Sequence, residues 1–320
     1  MSFKWIAALG AAAMTSIAVS GAHAAGAFPD RPLQVVIPFQ PGDTDNMLRP
    51  FLERMNEFLK QPVVLNYRPG AGGGIGAGSV ATSAPDGYTL VGTSPGSIVV
   101  VPLANADIKY SPDDFAPVAS LAEGGLMLVA PATSRWKTLT ELVDYSKENP
   151  DKVTFTSSGA MGITHLLAEA FAHTVGVQWR HIPYKGSAPA ITALLGGHVD
   201  MASTAIAPAQ AHIQAGTLVP LAVFGETRLK AYPDVPTLKE LGYDIGSPTY
   251  YGISAPAGTP PEIVNAIYDA AEKVVDKYGD DIAKNLAVFG AQIKLLNPQD
   301  YKAYLDDQRR LFSEAIKSLN

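Results

Sequence analysis

Residues 92–96 match G-x-S-x-G, the pattern that presents the nucleophilic serine of many hydrolases at the end of a strand. In such enzymes the backbone N–H of the residue after the serine supplies half of the oxyanion hole. Here that residue is Pro95, which has no N–H. The sequence therefore argues against a nucleophile at Ser94, and a hydrolase built on Ser94 is kept only as the alternative function. Ser94 still follows a predicted strand at the end where α/β sheets bind ligands, so we predict that it lines a ligand site.

Two further patterns argue against cofactor and metal chemistry. Residues 76–81 match the loose dinucleotide fingerprint G-x-G-x-x-A, but no acidic residue lies at the offset of about 20 residues that a ribose contact needs. The histidines beyond residue 24 form no H-E-x-x-H motif and no close pair in sequence, and the chain has no cysteine. We therefore predict no cofactor, no metal site and no catalytic residue.

A loop rich in glycine or serine recurs where a predicted strand ends and a helix begins. It occurs at residues 41–44, 69–74, 156–162 and 185–187. Each such loop offers backbone N–H groups and the positive end of a helix dipole. This arrangement suits a carboxylate ligand, although ordinary strand-to-helix turns would have the same composition.

Side chains in and beside these loops are the candidate ligand-binding residues. Phe39 could cover the carbon chain of a ligand, serine and threonine hydroxyls could donate to a carboxylate, and Lys185 is the most plausible positive charge. The alternative roles are core packing for Phe39, helix capping or turn formation for the hydroxyl and acidic residues, and solvent exposure for Lys185. The predicted set is Phe39, Thr44, Asp45, Ala71, Gly72, Ser94, Ser157, Ser158, Thr164, His165, Tyr184, Lys185 and Thr204.

The elements that must position these residues alternate between apolar runs and segments of helical periodicity. A first series starts with a strand at 33–37 and a helix at about 44–60, and a second series starts with a strand at 126–129. A capping box, Thr138 with Glu141, marks the start of one helix. Toward the C-terminus the pattern predicts helices at 260–278, 281–286 and 298–319.

Strands that alternate with helices predict parallel sheets joined by right-handed crossovers. Because two series of alternating strands and helices are more than one sheet would hold, we predict an α/β chain of two lobes with the ligand cleft between them. Each lobe would be a mostly parallel sheet flanked by helices. The predicted boundaries are 25–124 plus 226–320 for the first lobe and 125–225 for the second.

The composition and the N-terminal residues limit the possible cellular location of the protein and its possible classes of partner. The chain has 320 residues, 24 Lys+Arg, 30 Asp+Glu and a formal net charge of −6, without the basic run that nucleic-acid binding requires. Residues 1–24 combine Lys4, an apolar run and the small-residue pattern A-H-A, which is typical of a cleaved signal peptide. The apolar run is too short to span a membrane, and no cysteine is present for lipid attachment. We predict an exported, periplasmic protein with no membrane anchor.

An ordered set of short motifs resembles the Bug family, the periplasmic substrate-binding proteins of tripartite tricarboxylate transporters. The motifs are FPDRPL at 28–33, VVIPF at 35–39, NYRPGAG at 66–72, PDGYTL at 85–90, PYKG at 183–186, GHVD at 197–200 and PDVPT at 233–237. The resemblance covers the whole chain after the predicted signal peptide. It implies the two-lobed periplasmic binding protein fold of type II-like architecture, no catalysis, and a small carboxylate held largely by loop backbone groups and ordered waters.

The first loop departs from the family pattern P-F/W-x-x-G-G-x-x-D. Residues 38–45 read PFQPGDTD, one residue shorter, with Asp43 where a second glycine is expected. A carboxylate there stabilises the helix that follows but repels a ligand carboxylate at close range. The favoured interpretation is that Asp43 caps the helix, and the alternative is that it pairs with a ligand ammonium or hydroxyl group.

Together these observations predict a monomeric receptor, not an enzyme, that captures a small carboxylate in the periplasm. The ligand would be a di- or tricarboxylate, an acidic amino acid or an aromatic acid, and the partners would be the membrane components of a tripartite tricarboxylate transporter. A ligand sensor of the same fold, coupled to a membrane kinase, is a second alternative.

Overall fold

The computed structural model describes residues 28–225, 227–246 and 248–318, which fold around two separate sheets. The predicted signal peptide, residues 1–24, lies outside the described residues. No helix within the described ranges combines the length and the apolar character needed to cross a membrane.

The strands are β1 (Leu33–Ile37), β2 (Val63–Tyr67), β3 (Thr89–Thr93), β4 (Phe115–Gly124), β5 (Leu126–Pro131), β6 (Thr154–Ser157), β7 (Arg180–Pro183), β8 (Met201–Ala205), β9 (Leu218–Phe224), β10 (Thr249–Pro256) and β11 (Gln292–Leu296). The helices are α1 (Thr44–Leu59), α2 (Gly74–Ala81), α3 (Val101–Ala104), α4 (Leu139–Glu148), α5 (Ile163–Val175), α6 (Ser187–Leu195), α7 (Ile206–Gln214), α8 (Pro261–Ala287) and α9 (Pro298–Ser318). Short helical turns occupy Ala71–Gly73, Gly96–Val100 and Pro112–Asp114.

The two sheets share one strand order, which confirms the predicted two-lobed α/β fold. The first sheet runs β2-β1-β3-β10-β4-β11 and the second runs β7-β6-β8-β5-β9. In each sheet the first strand of a strand–helix series lies between the next two strands of that series. A crossing strand from the other part of the chain, β10 or β5, then pairs with the third strand.

Most strands of each sheet run in one direction, but both sheets are mixed rather than purely parallel. The β1–β2, β1–β3, β6–β7 and β6–β8 pairs are parallel, but β10 and β5 run antiparallel to both of their neighbours. A parallel neighbour requires a crossover connection, usually a helix. β5 follows β4 of the first sheet after a single residue, and β10 follows β9 of the second sheet, so neither crossing strand is reached through a crossover helix within its own sheet.

Local patterns account for most helix boundaries. The helix α1 buries Met47, Leu48, Phe51 and Leu52 on one face, and Lys60 ends it in the left-handed conformation. The predicted capping box of α4 is present, with the Thr138 hydroxyl accepting from the Glu141 N–H.

The helix α8 differs from the prediction, which divided it near residue 280. Val274, Ile282 and Leu286 are all buried and are spaced by eight and four residues along one helical face. Packing of this face keeps the helix continuous through Gly279. A glycine inside a helix costs less free energy than the loss of this buried packing would.

Each sheet has its own core, and the second core extends beyond the segment assigned to it. The first core contains Val35, Phe51 and Ile267. The second contains Phe155 together with Leu238. We therefore propose the predicted lobe boundaries with one change, that the second lobe extends past residue 225 to include Leu238.

Candidate ligand-binding site

A cavity between the lobes is lined by residues from both sheets. The space between the lining atoms, counted together with the solvent-open mouth, is about 440 Å³. The lining residues are Phe39, Gln40, Asp43, Gly72, Ser94, Gly96, Leu126, Ser158, Gly162, Ile163, Thr164, Ser187, Ala205 and Tyr251.

Three helices begin at this cavity without a side-chain cap. The N-cap residues are Asp43 for α1, Gly162 for α5 and Gly186 for α6, and none of them accepts a capping hydrogen bond through its side chain. The first N–H groups of a helix have no acceptor within the helix, and they lie at the positive end of the helix dipole. The arrangement therefore offers neutral donors to an anionic group.

Loops from the two lobes meet across the cavity. The Gln40 N–H donates to the Lys185 carbonyl oxygen over 3.3 Å. A Cβ atom built on Gly42 would lie 2.8 Å from the Cβ of Ala188, so the first loop also lies directly against α6. These contacts leave the cleft closed.

Hydroxyl groups provide a second kind of neutral donor. The Ser158 and Thr164 hydroxyl oxygens are 2.8 Å apart, and the Ser158 N–H donates to the Thr164 hydroxyl over 3.1 Å. Ser94 and Ser187 also line the cavity, and each is more than nine-tenths buried.

Asp43 faces the cavity, which makes the helix-capping interpretation wrong. Its side chain makes no capping hydrogen bond, and the Tyr251 hydroxyl donates to both carboxylate oxygens over 3.3 Å. The residue is half-buried and lines the cavity. Burial raises the pKa of Asp43 to about 7, the Tyr251 hydrogen bond opposes this shift, and the charge of Asp45 adds to it.

Five of the sequence-predicted residues lie together in the lining. They are Phe39, Gly72, Ser94, Ser158 and Thr164. The structure does not place the other predicted residues in this lining.

In the first lobe, Thr44, Asp45 and Ala71 lie outside the cavity. Thr44 is buried in the first turn of α1, and Ala71 precedes the lining residue Gly72. The Asp45 carboxylate accepts from the Gly42 N–H over 2.6 Å and from the Tyr67 hydroxyl over 3.1 Å, and it pairs with Arg49 over 3.3 Å. Asp45 therefore stabilises the first loop without lining the cavity.

In the second lobe, Ser157 and His165 belong to a buried cluster behind the lining. Ser157 bonds to His181 Nε2 over 2.7 Å, and the rings of His165 and His181 stack with centroids 3.8 Å apart. His165 also lines a separate surface cavity beside Glu169. Burial first, and the neighbouring His165 second, lower the pKa of His181 to about 3.

Tyr184, Lys185 and Thr204 also lie outside the lining. The Tyr184 N–H donates to the Ser157 carbonyl oxygen over 3.3 Å. The Lys185 side chain is exposed, and Thr204 is buried with its hydroxyl donating to the Ala205 carbonyl oxygen over 3.0 Å. The lining consequently contains no Lys, Arg or His side chain.

Sequence reasoning missed several lining residues. Gly162 and Ser187 lie in loops that the sequence had marked, so their composition was a usable signal. Tyr251 follows Asp43 by 208 residues and comes from β10, so no local pattern connects the two. The remaining residues not in the predicted set are Gln40, Asp43, Gly96, Leu126, Ile163 and Ala205.

Metal chemistry finds no support in the described part of the chain. No group of three or more His, Asp or Glu side chains is close enough there to hold a metal ion. A cavity with neutral donors and one carboxylate can bind a small polar molecule, but it presents no nucleophile paired with a base.

Comparisons with known proteins agree with a binding site of this kind. The model of the tripartite tricarboxylate transporter family receptor matches residues 47–320. A protein in the gbd 5′ region of Cupriavidus necator is 39% identical over 305 residues, which cover 93% of this chain and 89% of that protein. BugT of Bordetella pertussis is 33% identical over 298 residues, which cover 92% and 90% of the two chains.

Two solved structures have the same fold and hold ligands. MatC from Rhodopseudomonas palustris with bound malate has a TM-score of 0.85 at 28% identity, covering 90% of this chain and 100% of that chain. A second R. palustris protein, solved with adipate, has a TM-score of 0.84 at 28% identity, covering 91% and 98%. The motif resemblance is thereby confirmed, and this chain belongs to the receptor family of tripartite tricarboxylate transporters, which includes the Bug proteins.

Proposed function

We propose that the chain is a periplasmic receptor that closes around a small carboxylate and delivers it to the membrane components of a tripartite tricarboxylate transporter. The observation that carries the proposal is the convergence of three helix N-termini, those of α1, α5 and α6, on one cavity without basic side chains. The bound malate of MatC and the adipate of its R. palustris relative support the same ligand class.

Binding would proceed without chemical change. Backbone N–H groups at the helix starts and the hydroxyls of Ser158 and Thr164 would hold one carboxylate. The ligand would favour closure because only the closed cleft brings loops of both lobes around it, and differential affinity is sufficient to shift a two-state equilibrium. The acidic net charge of the chain means that local donors, not the overall field, must attract the anion.

The proposal also covers export of the chain, its monomeric state and its recognition by the membrane components. Residues 1–24 would direct export and be removed, which leaves a monomer free in the periplasm. The closed form would then be the state that the membrane components recognise. A cleavage site at residue 24 is tested by N-terminal sequencing of the exported protein.

A thermal-shift screen of the mature protein tests the ligand class. The panel contains di- and tricarboxylates, acidic amino acids, aromatic acids and neutral compounds of matched size. A ligand present at about 100 times its Kd stabilises the folded state by about 2.7 kcal/mol, so a true ligand raises the Tm by several degrees. The proposal fails if neutral compounds raise the Tm and no carboxylate does.

A further inference from the structure

We propose that Asp43 and Tyr251 form a subsite for an ammonium group, so that the preferred ligand carries an ammonium as well as a carboxylate. This inference rests on the proposed function, because the helix starts and hydroxyls would hold the carboxylate end. The ammonium would distinguish this receptor's ligand from a plain di- or tricarboxylate.

The geometry presents an acceptor to the cavity at a fixed position. Tyr251 is 2% exposed and packs in the first core, and its hydroxyl donates to both oxygens of Asp43. A carboxylate can accept about four hydrogen bonds, so most of its capacity is left for a donor in the cavity. No salt bridge to Asp43 exists among the described residues.

Two further polar side chains line the cavity beside Asp43. The Ser94 and Ser187 side chains, 6% and 4% exposed, line the same cavity as Asp43. Within the described residues neither hydroxyl has a hydrogen-bond partner. Both hydroxyls are therefore available to hydrogen-bond with a polar ligand in the cavity.

Among the described residues, no cation forms an ion pair that would balance the negative charge of Asp43. The neighbouring carboxylate, Asp45, already pairs with Arg49 and accepts from Gly42 and Tyr67. The Gly42 backbone lies against Ala188 of α6, which is uncharged, and the Lys185 side chain is exposed. A ligand ammonium would supply the missing positive charge, whereas a second ligand carboxylate at this position would be repelled.

The affinity for an ammonium ligand should rise with pH. The titratable groups that face Asp43 are Tyr251 from β10 and Asp45 from α1. The pKa of Tyr251 is raised well above its ordinary value, so Tyr251 stays a donor. Because the pKa of Asp43 is about 7, an ammonium ligand that needs the ionised form binds about tenfold tighter at pH 8 than at pH 6. A dicarboxylate that needs protonated Asp43 would show the opposite trend.

Calorimetry with matched ligand pairs tests the proposal on the mature protein. The pairs differ only in the ammonium: aspartate and succinate, glutamate and glutarate, alanine and propionate, phenylalanine and 3-phenylpropionate. Malate adds a hydroxyl to the four-carbon series. We expect the amino acid of the best-binding pair to bind at least tenfold tighter than its partner. D43N should remove this preference, Y251F should reduce it, and D280N, at an exposed acid of α8, should leave it unchanged.

Each outcome decides between the two levels of the proposal. If the acid without the ammonium binds as tightly as its amino-acid partner, or if affinity falls as the pH rises, the ammonium subsite is wrong while the receptor function stands. Malate binding as tightly as aspartate would also overturn it, since any donor would then suffice. If no carboxylate of any kind binds, the proposed function fails as well. The pair comparison and the pH series use the wild-type protein, so they decide the matter even if D43N does not fold.

Discussion

Gly72 of the first lobe and Gly159 of the second lobe meet across the cleft. A Cβ atom built on Gly159 would lie 2.7 Å from the Gly72 Cα, and one built on Gly72 would lie 2.7 Å from the Ala160 carbonyl oxygen. Gly72 also has a φ of +63°, which favours glycine. The closed cleft therefore depends on the absence of side chains at this contact.

G72A should weaken ligand binding by at least about tenfold, or ~1.4 kcal/mol, because the added methyl group holds the lobes apart. The matched control is G216A, since Gly216 has a φ of +69° and no atom within 4 Å of a built Cβ. Both variants carry similar backbone strain, but only G72A meets the opposite lobe. Calorimetry measures the affinity and small-angle scattering measures the closure. Equal affinities for the two variants would contradict this role.

D43N should stabilise the unliganded protein at pH 8 but not at pH 4. The pKa of Asp43 is raised from 3.8 in the unfolded chain to about 7 in the fold, so the folded state binds the proton more tightly. The free energy of unfolding consequently falls as the pH rises from 3.8 to 7. After allowance for access to solvent in the cavity, we expect a gain of about 2 kcal/mol at pH 8. Urea unfolding at both pH values checks this, and an equal effect at the two would be inconsistent with it.

H181F should make the protein less sensitive to acid. The pKa of His181 falls to about 3 in the fold, so the unfolded chain binds more protons between pH 6.5 and 3. The contribution of neutral His181 to the free energy of unfolding is complete above pH 6.5 and is lost as the pH falls toward 3. We expect the Tm of wild type to decrease more steeply than that of H181F between pH 6.5 and 4.5. H198F, at an exposed histidine, serves as the control and should follow wild type. Parallel curves for all three proteins would refute the assignment.

K185M should change the affinity for the best carboxylate by less than about twofold, although the sequence made Lys185 the candidate cation. Its side chain is exposed and lies outside the lining, and its carbonyl oxygen accepts from the Gln40 N–H of the first loop. T164V should instead cost about tenfold, because it removes the hydroxyl that lines the cavity and bonds to Ser158. Calorimetry on both variants compares them, and the reverse order would place Lys185 in the site.

Wild type and S94A should both lack ester turnover. Ser94 lines the cavity, but the lining contains no imidazole and Pro95 provides no N–H for an oxyanion hole. Hydrolysis of p-nitrophenyl esters measures the activity. A robust wild-type rate that disappears in S94A would establish the hydrolase alternative and remove the receptor proposal.

Local features of the sequence predicted most of the fold and part of the site. The strand at 33–37, the start of α1 and the capping box of α4 were predicted correctly, because hydrophobic period and capping depend on neighbours within a few residues. The Gly- and Ser-rich loops also predicted Gly72, Ser158 and Thr164 in the lining, since strand ends and helix starts converge in an α/β lobe.

Composition, periodicity and ordered motifs were sufficient to predict the two α/β lobes, the strand-end loops and the family. The direction of the crossing strands, the exposure of Lys185 and the position of Asp43 depend instead on contacts between distant segments. Asp43 faces the cavity and meets Tyr251 because β10 returns from the other lobe to the first sheet. That contact joins residues 208 positions apart, and its physical basis is packing between distant segments, which no local pattern encodes.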